Sequence, residues 1–123
     1  MDEQVLAALR TDRIIDITTT GRKTGQPRRI EIGLLSLADG FYISGRPGRP
    51  RSWYANLRAH PDFTLHLKRS LQRDLAARAT PITAPDERRA VFTEMAGDPQ
   101  RAGMEVAIWL AESPLVRVEF SDA

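Results

Sequence analysis

With 123 residues, 41% of them hydrophobic, the chain is the size of one compact domain, large enough for a single core and too small for two. No run of eighteen apolar residues occurs, the start Met1-Asp2-Glu3-Gln4 is acidic, and cysteine is absent. These features argue against a membrane-spanning helix, a secretory signal, a disulfide framework and thiolate chemistry, and make a cytoplasmic location the expectation. The net charge of +2 hides an asymmetry, because Gly21 to Arg69 holds ten Lys or Arg against three acids, and the remainder holds eight against thirteen. A basic middle of this kind predicts either a held anion or a set of solvated arginines.

In chain order, Val5, Leu6, Ala8 and Leu9 predict a short amphipathic helix, followed by a β-branched strand from Ile14 to Thr20. Gly21 to Pro27 read as a turn. Arg29 to Leu37 alternate at first and then become continuously apolar, which predicts one strand crossing a buried interior. Asp39-Gly40 signals a hairpin into Phe41-Tyr42-Ile43-Ser44. The breaker run Gly45 to Pro50 leads to a short helix over Arg51 to Ala59, which His60-Pro61 ends.

Phe63 to Lys68 alternate as a strand, so His66 faces away from Leu65 and Leu67 and reads as a surface or satisfied polar residue. Leu71 to Ile82 is read as its returning strand, although Leu71, Leu75 and Ala79 also fit one helical face. Pro85-Asp86 start a helix that ends near Gly97, a second helix is expected within Arg101 to Ala111, and Leu115 to Phe120 form the closing strand. Strands dominate, with helices inserted before the last one. The expected class is mainly β (α+β): an antiparallel barrel or sheet with short flanking helices, as one domain over 1–123.

Two segments carry chemistry. Thr18 to Arg29 is a strand, a glycine-bounded basic turn and a strand. Its glycines admit close backbone approach, Thr24 offers a hydroxyl, and Arg22, Lys23 and Arg28 can grip phosphate or carboxylate. A decorated surface hairpin is the plainer reading of the same residues. Ile43 to Tyr54 runs a Gly/Pro/Arg loop containing Ser44, Gly45 and Arg46 into a helix start, which attracts anions, and Trp53 offers a flat wall or ordinary core packing. Asp16 and Glu31 fall on different strands with nothing to make them an acid–base pair. Tyr42 fits either a pocket-facing proton donor or the core.

The segment Thr-Thr-Gly-Arg-Lys-Thr-Gly-Gln-Pro-Arg at 19 to 28, then Asp39-Gly40, Ser44, and Trp53-Tyr54-Ala55-Asn56-Leu57-Arg58-Ala59-His60-Pro61 resemble the deazaflavin-dependent nitroreductase and quinone reductase family over roughly residues 14 to 80. The resemblance implies an antiparallel split β-barrel of the flavin-reductase type. It also implies coenzyme F-420, an 8-hydroxy-5-deazaflavin, in a groove, and hydride transfer to a small-molecule acceptor such as a quinone, nitroaromatic or enone. Arg22, Lys23, Thr24 and Arg28 would hold the phosphate and acidic tail. Ser44 and Gly45 would line the path, Arg46 would stand where members often carry lysine, and Trp53 would flank the ring.

Members of the nitroreductase type also place tyrosines in the C-terminal helical region, and this chain has none after Tyr54, so no catalytic residue is assigned. FMN in the same barrel is the rival cofactor, and a non-catalytic carrier of deazaflavin, haem or lipid is the rival class. A nucleic-acid module is disfavoured, because only 7% of residues are aromatic and no stacking motif occurs. Open strand edges make a homodimer the expected assembly.

Overall fold

The computed structural model describes residues 1–121. Helix α1 (Glu3–Thr11) starts where the Asp2 carboxylate accepts the Gln4 N–H at 2.6 Å, and its i, i+3, i+4 set Val5, Ala8 and Leu9 is buried. The remaining elements are β1 (Ile14–Thr20), β2 (Pro27–Gly33), β3 (Leu35–Leu37), β4 (Gly40–Ser44), α2 (Ser52–Ala59), β5 (Asp62–Lys68), β6 (Gln72–Pro81), α3 (Pro85–Ala96), a 3-10 turn at Pro99–Arg101, α4 (Val106–Glu112) and β7 (Leu115–Phe120). The seven strands form one antiparallel sheet in the order β2-β1-β5-β6-β7-β4-β3, curled into a half-barrel with the four short helices against it.

The strand expected over Arg29 to Leu37 is broken at Leu34: its N–H still donates to the Arg13 carbonyl at 2.9 Å, in register with the β1–β2 ladder, and from Leu35 the chain pairs with β4 instead. The physical reason is burial. Leu34 and Leu35 are both buried, and side chains of successive strand residues point to opposite faces, so each leucine enters a different core. Leu34 joins the main core with α1, β1, α2 and β5, whereas Leu35 joins a second one with Tyr42, Phe92, Met95 and Leu115 under α3.

The returning strand over Leu71 to Ile82 is realised as β6. Its helical alternative loses because β5 offers a full partner register from Asp62↔Arg78 to Lys68↔Gln72, and Leu75, Ala77 and Ala79 then fall alternately on the buried face. The helix expected within Arg101 to Ala111 is shortened to α4, because Gly103 turns the chain at φ +92° between the 3-10 turn and α4. His66 is a satisfied polar residue: its Nε2 lies 2.7 Å from Thr18 Oγ1 and its Nδ1 lies 2.7 Å from Asp74 Oδ1.

Tyr42 belongs to the second core and lines neither of the two hollows described below, so the proton-donor reading is withdrawn in favour of packing. Its hydroxyl donates to Asp39 Oδ1 at 2.7 Å and accepts from Arg117 Nη1 at 2.9 Å. Burial, reinforced by Asp39, pushes the phenol up to about 12. The unfolded phenol ionises near pH 10 while the folded one keeps its proton, so this contribution to stability is complete below pH 10 and is lost as pH rises towards 12. Urea unfolding between pH 9 and 12, read against Tyr42→Phe, checks this: the wild type is expected to lose stability more steeply than the variant, and parallel profiles would refute it.

Candidate functional site

The turn between β1 and β2 is built by its own backbone. Gly21 N–H donates to the Gln26 carbonyl at 2.8 Å, Gly25 N–H donates to the Gly21 carbonyl at 2.8 Å, and Gln26 N–H donates to Thr24 Oγ1 at 3.2 Å. Gly25 sits at φ +70°, which glycine adopts without steric cost. At Gly21 the constraint is space: an added Cβ would stand 2.8 Å from Thr24 Oγ1 and 3.2 Å from the Gln26 carbonyl oxygen. Gly21→Ala is therefore expected to destabilise the protein by about 1–3 kcal/mol, as overpacking does elsewhere. A thermal melt checks this, and an unchanged Tm would mean that the turn yields freely.

Helix α2 fastens this turn to the sheet. Asn56, 5% exposed, accepts the Arg22 N–H at 3.0 Å through Oδ1 and donates through Nδ2 to Thr19 Oγ1 at 3.2 Å. One helical turn earlier, Trp53 packs against the loop that leaves β4, where a Cβ on Gly45 would lie 3.4 Å from Trp53 Cζ2. A side chain here would sit in van der Waals contact with the indole, so the loop backbone runs close along Trp53. The Ser44 hydroxyl donates to the Pro114 carbonyl at 2.7 Å, which leaves its oxygen free to accept.

Two hollows meet along Trp53 and Ile30, which line both. The first, of about 400 Å³, is walled by Arg22, Lys23, Thr24 and Arg28 with Asn56 and Thr19. The second, of about 530 Å³, has Ser44, Gly45 and Arg46 among its lining, together with the apolar side chains of Ile32, Leu35, Met95 and Trp109. All eight residues singled out in the sequence thus border one composite groove, Arg22, Lys23, Thr24 and Arg28 on the first part, Ser44, Gly45 and Arg46 on the second, and Trp53 between.

Sequence reasoning missed Asn56 as the tether, and Ile30, Met95, Trp109, Arg13, Arg49 and Arg101 as wall. Asn56 carried a readable signal, since it shares a helical face with Trp53 at i, i+3. The residues of α3, α4 and the 3-10 turn carried none.

Part of the basic excess of the chain gathers at the groove. Among the described residues, Arg22, Lys23, Arg28, Arg46 and Arg49 have no carboxylate within 4.0 Å, although all five border the groove. Their neighbour Arg29 is paired with Asp16 at 3.0 Å on the other face of β2. Lys68 joins Asp16 to Glu31, which prove to be direct cross-strand partners, and the Lys68 hydrogen bond holds the Asp16 carboxyl below its usual range. Two acids bridged by a lysine have no free proton-shuttling role there. No group of three or more His, Asp or Glu residues suited to a metal ion occurs among the described residues, and no helix among them is long and apolar enough to cross a membrane.

A family model described as F-420H(2)-dependent quinone reductase matches residues 3–119. Among solved structures, an F-420-H2 dependent reductase (FDR-A) shares 20% identity with a TM-score of 0.63, over 88% of this chain and 95% of that one. A conserved hypothetical protein from Mycobacterium tuberculosis aligns with a TM-score of 0.73 at 15% identity, over 98% of this chain and 81% of its own. A haem storage protein, HutZ, from Vibrio cholerae aligns with a TM-score of 0.69 at 15% identity, over 98% and 91%. These likenesses establish the split-barrel, flavin-reductase-like fold.

Proposed function

The chain belongs to the F-420H(2)-dependent quinone reductase family, and from that premise we propose that it passes hydride from reduced coenzyme F-420 to an organic acceptor such as a quinone, a nitroaromatic or an enone. The observation that carries this reading is the set of five cations without carboxylate partners around a groove that also presents apolar walls from Ile30, Ile32, Leu35, Met95, Trp53 and Trp109. Such a groove fits a ligand with an anionic tail and a flat ring, because the phosphodiester and glutamate carboxylates of the deazaflavin tail need cations and the ring needs a dry wall.

On this reading Arg22, Lys23 and Arg28, with the Thr24 hydroxyl, hold the tail. Trp53 and the close backbone of Gly45 flank the ring, Ser44 offers it a hydrogen-bond acceptor, and Arg46 adds charge at its side. When bound, the cofactor supplies the hydride itself. The protein contributes position and dryness: Ile30, Ile32, Leu35, Met95 and Trp109 exclude water around the reacting atoms. A quinone takes the hydride and one proton to become a hydroquinone; Glu31, the acid among the described residues that borders this hollow, is engaged by Lys68, and solvent at the open mouth delivers that proton. Open edges at β2 and β3 favour a homodimer, which a monomeric mass by light scattering would reject.

The test mixes the protein with reduced coenzyme F-420 and a simple quinone and follows the return of oxidised-cofactor absorbance, alongside fluorescence titrations with oxidised coenzyme F-420 and with FMN. Protein-dependent oxidation and preferential deazaflavin binding are expected. Binding of FMN alone would transfer the reading to a flavin enzyme, and deazaflavin binding without turnover on any acceptor would make the protein a carrier.

A further inference from the structure

The composite groove has a second cationic end. The turn that opens it lies beyond Thr20, whereas Arg13 precedes Ile14, so the two stand at opposite ends of the β1–β2 ladder, about 20 Å apart at roughly 3.3 Å per residue. At that far end the Nη1 atoms of Arg13 and Arg101 both bond the same oxygen, Asp98 Oδ2, at 2.7 Å each. Asp98 Oδ1 is engaged by the Gln100 N–H at 2.9 Å. Two guanidiniums thus share one carboxylate, and a full positive charge is left over. Each guanidinium has five N–H donors and uses one of them among the described contacts, while both side chains line the apolar hollow. Tying the start of β1 to the 3-10 turn needs only one arginine on Asp98; the second adds charge beside the apolar wall of Ile32, Leu35, Met95 and Trp109, in a hollow that Arg46 and Arg49 border as well.

Resting on the proposed hydride transfer, we infer that the acceptor is amphipathic: an apolar ring system seated on Ile32, Met95 and Trp109, carrying a carboxylate or similar anion bound by Arg13 and Arg101. The cofactor's own anionic tail is met at the other end, by the Arg22–Arg28 turn, so the two cationic ends sort two different anions. Burial lowers the Arg101 pKa, with Arg13 acting in the same direction and Asp98 against it, so a second anion on the pair relieves a repulsion that one carboxylate leaves in place.

The test compares two naphthoquinones of the same ring, one with a short alkyl carboxylate and one with its methyl ester, so that reduction potential is matched and charge is not. The carboxylate is expected to show a KM at least about tenfold below that of the ester, equivalent to about 1.4 kcal/mol, and the ratio is expected to shrink with salt. In Arg13→Gln, where Arg101 still holds Asp98, the ratio is expected to fall towards one, and Arg13→Lys is expected to restore part of it. Equal KM values in the wild type would overturn the inference. So would loss of coenzyme F-420 affinity in Arg13→Gln with the acceptor ratio intact, since the arginines would then serve the cofactor. If neither quinone is reduced, the hydride reading fails by itself, and Trp109 and Trp53 fluorescence still reports the two quinones' binding: preference for the carboxylate sustains the anion subsite, and equal affinities reject it.

Discussion

Replacing Arg22, Lys23 and Arg28 together by alanine is expected to weaken the binding of oxidised coenzyme F-420 by about a thousandfold, read as the midpoint of a Trp-fluorescence titration. A hydrogen bond to a charged group contributes about 1.5–3 kcal/mol, and these side chains are exposed, so the lower end applies and each contact is worth about tenfold. The titration midpoint of the wild type is also expected to rise steeply with salt, and that slope to flatten in the triple variant. Arg29→Ala is the internal control. It removes a cation one residue from Arg28, but one already paired with Asp16 on the opposite face of β2. Its affinity is expected to stay within about twofold of the wild type, a difference well below the tenfold assigned to one groove contact. Equal losses in both variants would reduce the groove to a diffuse charge effect, and no loss in the triple variant would place the anion elsewhere.

The second large effect is expected at Asn56. Asn56→Leu keeps the branched shape of the side chain and strands the part-buried Arg22 N–H and the buried Thr19 hydroxyl. An unmatched buried polar group costs about 1–3 kcal/mol, so unfolding in urea is expected to come about 2–4 kcal/mol more easily, with the denaturant slope unchanged. Cofactor affinity is expected to fall in the same variant, because the Arg22 backbone loses the bond that fixes it against α2. Wild-type stability in Asn56→Leu would mean that the turn is held by its internal bonds to Gly21 and Gly25 alone.

Local chemistry is what made parts of this molecule readable from the chain. The β-branched run gives β1 with its observed limits, Asp39-Gly40 turns β3 into β4, and Pro85 opens α3. The cationic turn was readable for the same reason, since Arg22, Lys23, Thr24 and Arg28 are gathered by a few bonds within one loop. The break at Leu34 was not, because it depends on two separate cores competing for adjacent leucines, which only the assembled sheet defines. Met95, Trp109 and Arg101 were invisible as groove wall: their spacing marks buried faces, and a buried face looks the same whether it meets another side chain or an empty hollow.

The break at Leu34 also acts as a pin. Strands β2 and β3 occupy the two ends of the sheet order, yet a single residue separates Gly33 from Leu35. Two Cα steps of about 3.8 Å hold these borders within about 8 Å at this point, although no ladder joins them. The hydrogen-bonded sheet is therefore open along a slit whose one end the covalent chain keeps shut. Farther along, towards the Arg22–Arg28 turn, nothing but side chains sets the width. Like a clothes-peg, the slit has one end fixed by the covalent chain and a mouth crossed by no strand-to-strand bond, where the Asn56 tether on Arg22 helps to set the gap.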